Sequence, residues 1–169
     1  GAGTAAVSGS GTLSILNDTV KAYVDKDSTI DATNTDSEDD LSSDPEDAKN
    51  SNPITVRVLA AGKTTMWGVA GALAGAGTVG VGVGLDVGVL TKNVEAYIDG
   101  TVTSEGDIIV QALSTEEIIS VSASLGAGGT VGVSGSIGVF SLNLTTTAYA
   151  GSNAILSAKG SVLVSAYDA

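Results

Sequence analysis

The chain predicts an all-β fold: a repetitive β-solenoid, β-helix-like, built from three related units of about 52 residues. Three observations carry this. Residues Gly1–Asp25, Gly75–Asp99 and Ala127–Gly151 are copies of one segment, and Thr4 to Tyr23, Thr78 to Tyr97 and Thr130 to Tyr149 each span 19 residues without insertion or deletion. Within each copy apolar residues alternate with period two, the spacing of a strand. No stretch shows a helical period. The units are expected at 1–74, 75–126 and 127–169, the last incomplete, so that the chain reads as a window onto a longer array.

The opening strand of each unit places apolar residues on odd positions: Ala5, Val7, Leu13 and Ile15; Val79, Val81, Val83, Leu85, Val87 and Val89; Val131, Val133, Ile137 and Val139. The even positions are mostly Gly or Ser. Glycine weakens a strand interior, so its density here needs a cause, and close approach of another backbone layer supplies one. After Leu16, Leu90 and Leu142 the apolar residues change to even positions, as in Val94, Ala96 and Ile98. Such a change predicts a bulge or corner repeated three times, because one extra residue exchanges the two faces downstream. On that reading Val83 and Val87 are buried and Tyr97 lies on the opposite face. Each Tyr is then free to cap the sheet edge or to stack on its counterpart in the next unit.

A short strand follows each Tyr, at Ser28–Ala32, Thr101–Thr103 and Ala154–Ser157. Further strands are expected at Ile54–Val58, Asp107–Ala112 and Ser161–Ala166, and then at Met66–Leu73 and Ile118–Leu125. Four or five strands per unit correspond to two coils of a β-helix or to one coil with long arms.

The first spacing, Thr4 to Thr78, is 74 residues and the second, Thr78 to Thr130, is 52; the surplus of 22 is placed at about Thr33–Asn52. That insert has no apolar period, and burial cannot offset the entropy of ordering it. It reads as an acidic surface loop. Asp36, Glu38, Asp39, Asp40, Asp44, Glu46 and Asp47 make it the candidate metal site, with calcium the candidate ion and no cofactor required. An EF-hand frame fits Asp36, Glu38, Asp40 and Asp47 but puts Leu41 where the sharp turn needs Gly, and no amphipathic helices flank it.

Composition excludes several classes. Cys and His are absent, Arg57 is the only Arg, and the net charge is −12. Such a surface repels nucleic acid and anionic membrane and attracts cations. No catalytic constellation is visible, and Glu116–Glu117 reads as a solvated pair at a strand start. Gly75, Gly77 and Gly80 spell GxGxxG, but a strand follows them where a dinucleotide site needs a helix. The stretch Gly82–Asp86 matches a calcium-binding nonapeptide repeat only once and lacks the paired Gly. Asn17-Asp18-Thr19 and Asn143-Leu144-Thr145 are glycosylation sequons. No stretch of about 18 apolar residues, the length of a membrane helix, is present.

The runs GAGGTVGVSGSIGV, TTTAYAG and GSVLVSAYDA resemble repeats of large secreted bacterial adhesins, the filamentous adhesin and leukotoxin-like family. The match is best over Gly126–Ala169, good over Gly75–Leu125 and weakest over Gly1–Asn52. The resemblance implies a secreted β-solenoid stalk at the cell surface and carries over no catalytic or binding residue.

The expected function is therefore a non-catalytic stalk or filament segment, extracellular or at a bacterial surface. Its expected partners are other copies of itself, joined through strand edges, and a host or neighbouring-cell surface. The alternative is a membrane-active, pore-forming toxin segment. It would use hairpins such as Ile118–Leu125 with Thr130–Leu142, which alternate apolar and small residues as barrel strands do but lack aromatic girdles.

Overall fold

The computed structural model describes residues 3–33 and 55–169. They form nine strands and no helix: β1 (Ala5–Val24), β2 (Thr29–Ala32), β3 (Val56–Ala76), β4 (Val79–Ile98), β5 (Thr101–Ser104), β6 (Ile108–Gly128), β7 (Val131–Ala150), β8 (Ile155–Ala158) and β9 (Val162–Asp168). Three parallel sheets collect equivalent strands of the three units, in the orders β1-β4-β7, β2-β5-β8 and β3-β6-β9. In β2, β5 and β8, Ile30 pairs with Val102 and Val102 with Leu156. Ile108 of β6 pairs with Val162 of β9. The fold is thus all-β, repetitive and β-helix-like.

Each full unit contributes three strands rather than four or five. The strands expected near Ile54–Val58 and Met66–Leu73 are one strand, β3. Those at Asp107–Ala112 and Ile118–Leu125 are likewise one strand, β6. Each full unit therefore passes once through each of the three sheets, with long strands in two of them. The hairpin expected from Ile118–Leu125 and Thr130–Leu142 is not formed either: β6 and β7 follow each other in sequence but lie in different sheets.

The connections account for the uneven period. Residues 33–55 join β2 to β3, whereas 105–107 join β5 to β6, a difference of 20. Residues 25–28 precede β2 where 99–100 precede β5, a difference of two. The surplus of 22 therefore divides between the acidic insert and one turn.

By contacts the chain forms two compact units that cut across the repeats. A glycine-rich unit comprises Gly1–Asp18, Lys63–Lys92 and Thr115–Leu144, and an aliphatic unit comprises Thr19–Gly62, Asn93–Ser114 and Thr145–Ala169. The long strands β1, β3, β4, β6 and β7 each supply residues to both.

The aliphatic unit has a conventional core. Val24, Val94, Ala96 and Ile98 from one sheet meet Val102 from the second and Val58, Ala60, Ile108, Val110 and Ala112 from the third. Val94, Ile98, Val102, Ile108 and Val110 are fully buried. Ala148, Leu156 and Ala158 of the third coil pack against this cluster. Burial of these branched side chains is the main favourable term in this unit.

The glycine-rich unit is arranged the other way. Its even positions face inward and are small: Ala70, Ala72, Ala74, Gly80, Gly82, Gly84 and Gly88 are buried. Its odd positions carry the large apolar side chains outward, and Val83 is 52% exposed. No glycine here has a positive φ, so backbone conformation does not demand them. Space does: a Cβ at Gly80 would overlap the carbonyl of Ala127, and one at Gly126 would overlap that of Val133. The close backbone layer expected from the glycine density is present.

The expected bulge is absent. Strand β4 runs unbroken from Val79 to Ile98, and its even positions are buried throughout. What changes after Leu90 is the chemistry of the inward face, from glycine to aliphatic, and not the face itself. Val83 is consequently exposed, Val87 is half-buried, and both share the outward face of the strand with Tyr97.

Candidate functional site

Three polar ladders and one apolar surface are the features of these units that could act. In the glycine-rich unit Asp86 points inward and is 1% exposed. Its Oδ1 accepts a hydrogen bond from Thr12 Oγ1 at 2.5 Å and its Oδ2 one from Ser120 Oγ at 2.6 Å. Those two bonds, Ser120 first, hold the carboxyl below its usual range although burial opposes them. A Cβ at residue 68 would overlap this carboxylate, so Gly68 makes room for it. Thr12 lies 74 residues before Asp86, the spacing of the repeat, and meets it because β1 and β4 are neighbours in one sheet; Ser120, on β6, meets it because a second sheet faces the first.

A second inward ladder lies at the end of the same unit. Lys92, 1% exposed, meets Glu116, 6% exposed, at 2.7 Å and also donates to the Thr115 carbonyl at 3.2 Å. Thr64 Oγ1 donates to Asp18 Oδ2 at 3.3 Å. Glu116, which the sequence suggests is a solvated acid, is therefore half of a buried ion pair.

The third ladder is on the outer face of the aliphatic unit. Tyr23, Tyr97 and Tyr149 stack with ring centroids 5.2 and 5.0 Å apart and planes within 9° and 8° of parallel. Of the two arrangements expected for these tyrosines, edge capping or stacking, stacking is the one formed, and it follows from strands pairing with their own copies. Glu95 ties the stack together: Lys21 Nζ lies 2.6 Å from its Oε2, and the Tyr149 hydroxyl donates to its Oε1 at 2.8 Å. The bond to Glu95, helped by burial, pushes the Tyr149 hydroxyl up to about 12. Lys21 and Tyr149 in turn hold Glu95 below the usual carboxylate range.

Aspartates pin the turns from coil to coil. Asp99 accepts from the Asn153 backbone N–H at 2.9 Å and from its side-chain amide at 3.1 Å, which keeps its pKa low. Asp107 accepts from the Ser161 N–H at 2.7 Å.

The seven carboxylates proposed as a calcium site, Asp36, Glu38, Asp39, Asp40, Asp44, Glu46 and Asp47, lie outside the described residues. Among the described residues no group of three or more acids, His or Cys is placed to hold a metal ion. No helix among them is long and apolar enough to cross a membrane, which says nothing of strands.

The apolar surface is the feature sequence reasoning missed, because it assigned the large side chains to the core. Both outward faces of the glycine-rich unit carry it: Trp67, Val69 and Leu73 on β3, and Val83 and Leu85 on β4, are all at least 45% exposed. The signal that could have found it was the glycine itself. Positions too close to another backbone for a Cβ cannot be the outside of a sheet. Compared with protein-family models, with curated proteins and with solved structures, the chain matches none.

Proposed function

We propose that this chain is a non-catalytic structural segment of a stalk or filament of the bacterial adhesin type, working outside the cell or at its surface. The observation that supports this best is the stacking of like on like. Tyr23, Tyr97 and Tyr149 repeat one contact twice, and Ile30, Val102 and Leu156 repeat one pairing twice. An architecture built by adding equivalent coils has no intrinsic stopping point. The outer strands β1, β2 and β3 on one side, and β7, β8 and β9 on the other, each pair with one neighbour only among the described residues. Such edges accept further strands of the same kind. The partner is therefore another coil of the same design, in this chain or in a second copy.

Negative-stain microscopy of the purified protein over a range of concentrations tests the proposal. Filaments one coil stack wide, lengthening with concentration, are expected. Ser28 and Ala32 turn their carbonyls toward β5, so Asp31 turns its N–H to the open edge of β2; replacing Asp31 by Pro removes that edge donor and should shorten them. A parent protein that stays monomeric at every concentration would overturn the assembly role. A second reading, a membrane-active segment, draws support from the outward apolar faces of the glycine-rich unit.

A further inference from the structure

We propose that the glycine-rich unit is a lipid-embedding element: its two outward faces take the hydrocarbon layer of a bilayer, and its filled interior lets it do so without opening a pore. The proposal is independent of filament formation, since it concerns sheet faces and not sheet edges.

Soluble domains rarely expose contiguous apolar patches beyond a few hundred Å². Here two layers each carry several exposed large apolar side chains, with Trp67 and Leu73 at 68% and 70% exposure on one and Leu85 and Ile137 at 45% and 63% on the other. One folded partner covers one face. An apolar medium covers both.

Charge is placed to match. No charged residue occurs from Ile118 to Ala158. Of the six charged residues in the unit, five lie at the ends of its segments: Asp18, Lys63, Lys92, Glu116 and Glu117. The sixth, Asp86, faces inward onto the hydroxyls of Thr12 and Ser120. The turns at the other end, Gly77–Thr78 and Gly129–Thr130, carry no charge, so nothing there resists entry into hydrocarbon. The outward apolar run of β4, from Val79 to Val89, is about 33 Å long at ~3.3 Å per residue. The hydrocarbon core of a bilayer is about 30 Å thick.

The interior decides what kind of element this is. Porin-type barrels enclose a polar, open lumen. In this unit Gly80 lies against Ala127, Gly126 against Val133, and Gly88 against the ring of Phe140, leaving no room even for a Cβ. Hydrocarbon also admits no unpaired backbone. Strands β1, β3 and β7, each paired on one side, and β6 beyond Ser114, where its pairing with β9 ends, must therefore join strands of further copies when embedded, and uptake into lipid is cooperative in protein concentration.

Trp67, the only tryptophan, stands on the proposed lipid face and reports directly. The test mixes the protein with phosphatidylcholine vesicles, chosen because the chain carries −12 and anionic lipid would repel it. We expect co-flotation with the vesicles, a blue shift of Trp67 emission, quenching by lipids brominated along the acyl chain, and no release of trapped dye. The double variant Val83→Asp with Leu85→Asp should partition at least about tenfold less, and Leu85→Ser measurably less, with unchanged far-ultraviolet circular dichroism. Protein that stays at the bottom of the gradient with unshifted Trp67 emission would overturn the proposal. So would a blue shift that appears without lipid and grows with protein concentration, since a second copy would then be the occupant. Dye release at the onset of binding would overturn the filled-interior part and restore the pore.

Discussion

Strand β4 passes from one way of filling a protein interior to its opposite without a break in the backbone. From Asn93 onward it is conventional: Val94, Ala96 and Ile98 are buried, while Glu95 and Tyr97 face outward. From Val79 to Val89 the same alternation puts glycine inside and valine or leucine outside. The difference is one of spacing between layers. Where three sheets surround a common volume, that volume takes branched aliphatics. Where two layers meet at backbone distance, Gly, Ala and Ser line most of the inward face, the few larger groups such as Asp86 and Phe140 stand opposite a glycine, and the valines and leucines of β4 from Val79 to Val89 are displaced outward. Hydrophobicity selects the inside only when there is an inside large enough to hold a side chain.

The sharpest way to break this comparison is one substitution made twice in β4. Val94→Asp puts an unpaired charge into the aliphatic core and should cost about 3–5 kcal/mol, enough to unfold that unit. Val83→Asp, on the outward face of the other unit, should stay within about 0.5 kcal/mol of the parent. Urea denaturation followed by circular dichroism measures both, and equal losses would mean that Val83 is a core residue after all.

The ion pair that closes the inward face of the glycine-rich unit comes next. Glu116→Ala leaves the Lys92 ammonium buried without its carboxylate and should cost about 3 kcal/mol. The double change Lys92→Met with Glu116→Leu should recover most of that loss, because apolar groups of similar volume replace a buried pair at little cost. A double variant no more stable than the single one would place the requirement in the charge itself.

Glycine spacing is tested by Gly80→Val, which forces a side chain onto the Ala127 carbonyl and should cost about 1–3 kcal/mol. The neighbouring outward change Val81→Ala should be nearly silent. Deleting Thr33–Asn52 leaves 53–55 to join β2 to β3, the same length as the 105–107 connection. Shortening the loop this far should raise stability by up to about 2 kcal/mol through closure entropy. A loss on deletion would show that the insert packs.

The smallest expected effect is electrostatic and lies on the outer face of the aliphatic unit. Glu95 titrates below its unfolded value, so its contribution is present above about pH 4.5 and is lost as pH falls. Tyr149 titrates above its unfolded value, so its contribution holds below about pH 10 and is lost as pH rises toward 12. Glu95→Gln should remove both limbs and lower the melting temperature at neutral pH by at most about 2 °C, because the pair lies on the outer face, where solvent weakens such contacts. Identical pH profiles for parent and variant would separate the tyrosine stack from its acid.

The repeat frame was legible in the sequence. Three equal Thr-to-Tyr spacings fixed equivalent strands, and equivalent strands pairing with their own copies place Tyr23, Tyr97 and Tyr149 in one stack without further information. Glycine on alternate positions likewise announced a close backbone layer. What the sequence could not assign was the face. Period two defines two sides of a strand but does not say which is inside, and the usual rule that apolar residues point inward gave the wrong side for Val83 and an unnecessary bulge at Leu90. Nor could it show that Lys92 meets Glu116, or that Asp86 meets Ser120, since those contacts cross between layers and depend on how far apart the layers stand. Local spacing determined which strands are alike; the distance between sheets, a property of the assembled fold alone, decided which side of each strand became the core.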